Sequence, residues 1–284
     1  MTKASNMRPG LILRHNIVVR VTHWLNVVAI LLLLGTGLNI FNAHPFLYWG
    51  QKGSSVDAAT RWLAIGAVQD GTGGQGTGGY RGLTIIGSTT FDTTGLLGLS
   101  RSTGDGIEFV AFPAWSTLPG ARNLGLARNW HFAAAWLLVF NGLVYLVHGS
   151  ISGHIRNRLL PKPHELRPRF MWDKIFTKTK MIKIKSKTIM NYNLAQKIAY
   201  SSVVFIVFPL IILSGLGMSP AMDASSPWIL DLLGGRQSAR SMHFAAAVII
   251  VLFIMLHLLM LLLSGPWRLM RGMVTGWQTV ERRP

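Results

Sequence analysis

Long apolar runs alternate with polar connections along this chain. Residues 17–41, 128–151, 198–218 and 242–264 are each close to or above the 20 residues that an α-helix needs to cross the hydrocarbon core of a bilayer, and few charges interrupt them. The pattern predicts an all-α integral membrane protein, a four-helix transmembrane bundle forming one membrane domain over residues 1–284. Pro209 is a candidate kink in the third run. Pro266 ends the fourth, and Trp267 to Val280 has the spacing of an amphipathic interfacial helix. The first run is too long for a signal-peptide core and no small-residue cleavage site follows it, so it is expected to stay as a span.

The connections are unequal. Residues 220–237 form a short link, whereas 43–127 is a large insertion rich in glycine, threonine and tryptophan, with β-like pieces such as Leu83-Thr84-Ile85-Ile86. It reads as a compact cap or docking surface. Its Gly71-Thr72-Gly73-Gly74-Gln75-Gly76 matches G-x-G-x-x-G, but no strand–helix unit surrounds it, so it is read as a flexible turn. The loop 153–197 carries twelve Lys/Arg and two acids, and the tails add further arginines, while 43–127 holds five of each sign. By the positive-inside rule both termini and 153–197 are cytoplasmic and the insertion lies outside. Met171 to Lys187 alternates basic residues with Phe, Met and Ile, which suits a segment along an anionic leaflet.

Composition narrows the chemistry. Half of the 284 residues are hydrophobic and 13% are charged, against about 25% charged in soluble domains. The net charge of +18 gathers beside the apolar runs, which fits topology and membrane lipid and argues against nucleic acid. Without cysteine there is no disulfide, no thiolate-held cluster and no covalent c-type haem. Any redox cofactor must rest on other ligands.

Histidine supplies them. Arg128-Asn129-Trp130-His131-Phe132-Ala133-Ala134-Ala135 recurs as Arg240-Ser241-Met242-His243-Phe244-Ala245-Ala246-Ala247, and Arg20-Val21-Thr22-His23 is a shortened third copy. Ionisable groups inside spans mark function by default. The alanines leave room for a flat ligand, and an arginine three residues before each histidine can meet an anionic group, a combination that fits bis-histidine haem b with propionates on Arg20, Arg128 and Arg240. His243 and His257 are 14 residues apart, a rise of about 21 Å on nearly one helix face, so one helix can serve two haems. Matching depths pairs His131 with His243 on the outer side and His23 with His257 on the inner side. His148 is the rival to His23. His15, His44, His154 and His164 read as solvated loop residues. No span carries an acid to complete a zinc or non-haem iron site.

These features resemble the di-haem cytochrome b subunits of formate dehydrogenase N, thiosulfate reductase and nickel–iron hydrogenase. Phe41-Asn42-Ala43-His44-Pro45, Leu47-Tyr48-Trp49-Gly50, Thr94-Gly95-Leu96-Leu97-Gly98-Leu99-Ser100 and Ser152-Gly153-His154 with Arg156 resemble more closely the cytochrome b/b6-domain subunits that accompany sulfite-oxidase-like molybdopterin enzymes. The resemblance implies a membrane subunit of a bacterial inner membrane, carrying two haem b and relaying electrons between a periplasmic-side catalytic oxidoreductase subunit and quinone. Tyr192-Asn193-Leu194-Ala195-Gln196-Lys197 is similar to the family's Tyr-Asn-x-x-Gln-Lys, which implies quinone contacts from Asn193, Gln196 and Lys197, with Ala195 standing where the formate enzyme has glycine. The competing classes are a histidine-containing transporter, which predicts inverted repeats or broken helices, and a purely structural anchor, which needs no histidine array.

Overall fold

The computed structural model describes residues 10–53, 60–69, 71, 78–101, 106–120, 122–166 and 194–280. Four helices are long and apolar enough to span a membrane: Ile17–Phe41, Leu124–Ile151, Leu194–Gly217 and Arg236–Leu263, hereafter the first to fourth spans. The second, third and fourth begin four to six residues before the apolar runs do: Leu194 and Arg236 open polar first turns that the hydrophobic pattern does not register, and the second adds the turn Leu124–Ala127 ahead of Arg128. Large apolar side chains such as Leu31, Phe140, Leu256 and Leu262 stay exposed along them, as lipid-facing positions do.

The third span is not uniformly α-helical. Leu194–Ser202 is α, Val203–Val207 is a π-turn, and Phe208–Gly217 is α again. The Phe208 N–H reaches back to the Val203 carbonyl. Pro209 lacks an N–H, and the wider turn just before it re-registers the ladder around that missing donor. The terminal helix Pro266–Thr275 follows Gly265, and its successor Trp277–Val280 is extended rather than helical. That strand pairs antiparallel with Gly10–Leu13. The expected surface segment Met171 to Lys187 lies outside the described residues.

The chain divides into two compact units. The first gathers residues 1–26, 140–209 and 248–284, and the second gathers 27–139 and 210–247. In the second unit the insertion folds as an antiparallel sheet, β1 Phe46–Tyr48, β2 Arg61–Gln69, β3 Tyr80–Ile86 and β4 Thr89–Asp92 in that order. Leu47, Leu63 and Ile65 of this sheet pack with Phe41 and Ala111. Buried polar groups fasten it to the helices. Asn42 both donates to and accepts from the Phe112 backbone, each at 2.8 Å, and Asn39 donates to the Pro119 carbonyl at 2.7 Å. On the fourth span, Ser241 donates to the Tyr48 carbonyl and accepts from the Trp62 indole, while Ser238 accepts from the Gly50 amide. Each bond satisfies a buried group that would otherwise cost about 1–3 kcal/mol.

Candidate haem sites

In the second unit His131 and His243 face each other, ring centroids 6.2 Å apart and planes at 57°. Their outer nitrogens are fixed by neighbouring helices. Thr36 gives its one hydroxyl proton to the Leu32 carbonyl at 2.6 Å, so toward His131 Nδ1, 3.0 Å away, its oxygen can only accept. Nδ1 of His243 lies 2.9 Å from the Ile211 carbonyl and 3.2 Å from Ser214 Oγ, whose proton goes to Leu210 at 2.6 Å. A carbonyl only accepts, so this nitrogen too is the donor. Both rings therefore carry N–H at Nδ1 and a bare lone pair at Nε2.

Small residues make the room. A Cβ on Gly37 would stand 3.4 Å from the His131 ring, and one on Gly215 would stand 3.2 Å from the His243 ring. Around each histidine the alanines four residues before and three after are buried: Ala127 and Ala134, Ala239 and Ala246. The repeated block thus begins one residue earlier than the arginine, a signal present in the sequence as Ala-Arg-x-x-His-Phe-Ala-Ala-Ala. Arg240 donates to the His44 carbonyl and lies over the Phe41 ring at 5.7 Å. Arg128 is exposed. His44, in the insertion, has its pKa lowered by burial and by Arg240.

In the first unit His23 and His257 form a second facing pair, centroids 6.5 Å apart at 50°. Asn141 of the second span holds the backbone around His23, donating to the Thr22 carbonyl at 2.7 Å and to Asn26 Oδ1 at 2.6 Å. Phe253 stacks on His257, and the Tyr200 hydroxyl lies 3.5 Å from its Nδ1. Arg20 donates to the Val274 carbonyl, leaving its buried Nε and the buried Nδ1 of His23 without hydrogen bonds. His148 instead lies with its Nε2 3.2 Å from Asn16. Of the loop histidines, His15 is pushed down to about 4 by burial among Arg14, His154, Arg158 and His23. His154 is lowered by burial, then by Arg158 and His148.

Near the start of the third span, Gln196 is half-buried, and Lys197 is buried in an ion pair with Glu165 at 2.8 Å. Asn193 lies outside the described residues. Glu165 escaped the sequence reading because its partner is 32 residues away.

Facing imidazoles fit an iron with its own equatorial ligands. A nitrogen about 2 Å from the metal, with the ring centre roughly 1 Å beyond it, places two coaxial rings roughly 6 Å apart by centroid, close to both observed separations. Among the described residues no group of three metal-ligating side chains exists, so a tetrahedral all-protein site has no donors, whereas a porphyrin brings four.

A four-span helical chain with facing histidine pairs is the architecture of a membrane cytochrome b. Residues 83–276 match the family of prokaryotic cytochrome b561, and the chain belongs to that family. It is a haem-binding electron-transfer protein of the membrane. A relative in Azospira oryzae (strain ATCC BAA-33 / DSM 13638 / PS), the putative protein-methionine-sulfoxide reductase subunit YedZ1, is 27% identical over 245 residues, which cover 86% of this chain and 88% of the relative. No solved structure matches the chain.

Proposed function

We propose that this chain is the membrane-anchoring di-haem cytochrome b subunit of a bacterial inner-membrane oxidoreductase complex, relaying electrons between a molybdopterin-type catalytic subunit outside and the quinone pool. The observation that carries the reading is the presence of two facing imidazole pairs, 6.2 and 6.5 Å between centroids. His131 and His243 would hold the iron of an outer haem, and His23 and His257 that of an inner one. When bound, each haem supplies reversible one-electron chemistry.

The chain's own residues supply the rest. The hydroxyls and carbonyls behind the rings orient them, the alanines and glycines open flat space, and Arg20, Arg128 and Arg240 offer cations to propionates. Asn193, Gln196 and Lys197 are the residues assigned to quinone, at the start of the third span, with protons drawn from the cytoplasmic side where both termini lie. The sheet of the insertion is the docking surface for the catalytic subunit. The Azospira relative is named as a subunit of a reductase, which supports a catalytic partner for this chain as well.

Pyridine haemochrome quantification of the purified protein tests the reading. Two haem b per chain are expected; one or none overturns it.

A further inference from the structure

We propose that Thr36 and Ser214 are positioning residues that hold the outer haem at a lower midpoint potential than the inner one. The inference rests on the di-haem reading above. Both hydroxyls are fully buried, 1% and 0% exposed, and neither lies on the helix whose histidine it touches. Each spends its only proton on the carbonyl four residues back. The oxygen is then free to accept the imidazole N–H and nothing else. An acceptor behind an imidazole raises its basicity as a ligand, which favours the more highly charged ferric iron and lowers the reduction potential.

The device occurs twice. Thr36-Gly37 on the first span faces His131, and Ser214-Gly215 on the third faces His243. In each, the residue after the hydroxyl has no side chain, so the ring can come down onto the helix far enough for its Nδ1 to reach the oxygen. Any Cβ would stand 3.4 or 3.2 Å from the ring's Cε1 atom. The inner pair has no counterpart: His23 Nδ1 is buried with no hydrogen bond, and the Tyr200 hydroxyl stands at the 3.5 Å limit from His257 Nδ1. The two sites therefore differ in what stands behind their ligands.

Redox potentiometry of the purified full-length protein, followed at the reduced b-haem absorbance band, tests this with Thr36→Val, Thr36→Ser and Ser214→Ala. A variant lacking His243 identifies which midpoint belongs to the inner haem. Thr36→Val should raise the lower midpoint alone, by about 59 mV for a tenfold shift in a one-electron equilibrium. Ser214→Ala should raise it as well, and in both variants the shift is bounded because a backbone carbonyl, Leu33 behind His131 and Ile211 behind His243, still accepts from the ring. Thr36→Ser should restore the native value, which a merely space-filling role for the threonine would not require.

Two haems with unmoved midpoints in Thr36→Val overturn the inference, as does finding the lower midpoint on the inner haem. If Thr36→Val fails to hold its outer haem, Thr36→Ser decides: native midpoints uphold the hydrogen bond, and loss of haem or a shifted midpoint refutes it. A wild-type protein with fewer than two haems indicts the di-haem reading instead.

Discussion

Lys197 and Glu165 form a buried ion pair, Nζ lying 2.8 and 3.2 Å from the two carboxylate oxygens, with side chains only 6% and 14% exposed. The same carboxylate accepts the Lys162 amide at 2.9 Å. Lys197, which we propose contacts quinone, is thus held at the start of the third span by an acid from the preceding loop. The pair's attraction roughly offsets its desolvation while both members are present, but removing one leaves a buried charge.

Glu165→Gln should therefore destabilise the protein by about 3–5 kcal/mol, the amide keeping the shape and losing the charge. The double variant Glu165→Gln/Lys197→Gln should recover much of that loss, because the stranded ammonium is gone. Thermal unfolding of the detergent-solubilised protein measures both. Equal stability of the single variant and the wild type would show that water reaches the pair and screens it.

Replacing His243 by Ala should remove the outer haem and leave the inner one assembled, because His23, His257, Asn141, Tyr200 and Phe253 all belong to the other compact unit. Haemochrome quantification should fall from two to one per chain, with one midpoint remaining. Loss of both haems would mean that the sites assemble together.

The spans were legible because crossing a bilayer demands length and apolarity, which a sequence displays directly. The facing histidine pairs were legible for a related reason: depth along a helix follows from residue count, and the blocks Arg128–His131 and Arg240–His243 each open a span at the same point. The groups behind the rings were not. Thr36 meets His131 across 95 residues and Ser214 meets His243 across 29, and a lone hydroxyl in an apolar helix looks like any other back-bonded Thr or Ser. The insertion was only half visible. Leu83 to Ile86 showed β character, but Arg61–Gln69 is nearly continuous in apolar residues because its centre is buried, so it lacks the alternation of a half-exposed strand. The π-turn at Val203–Val207 left no mark beyond Pro209.

Arg240 and Arg128 occupy equivalent places in the repeated block but different surroundings. Arg240 is partly buried, donating to His44 and covering Phe41, whereas Arg128 is exposed. Exposed charges are screened by water and salt. Arg240→Gln should therefore lower the outer haem's midpoint more than Arg128→Gln does, since a nearby cation favours the electron-rich state. Potentiometric titration ranks the two, and the reverse order would remove Arg240 as the propionate partner.

His15 precedes the first span, and burial together with Arg14, His154, Arg158 and His23 brings its pKa from 6.5 to about 4. The folded protein therefore keeps this imidazole neutral while the unfolded chain protonates it at about pH 6.5. Above that pH neither state binds the proton and His15 adds no slope; as pH falls from about 6.5 towards 4 the unfolded state takes up the proton first, and stability declines. His15→Gln removes the titration and keeps a polar side chain of similar size. Thermal midpoints measured from about pH 7.5 to 4.5 should fall less steeply in His15→Gln than in the wild type, with residual slope from His44 and His154, which shift the same way. Identical slopes would mean that His15 is open to solvent in the membrane-bound protein, and that the cations around it do not act on its ring.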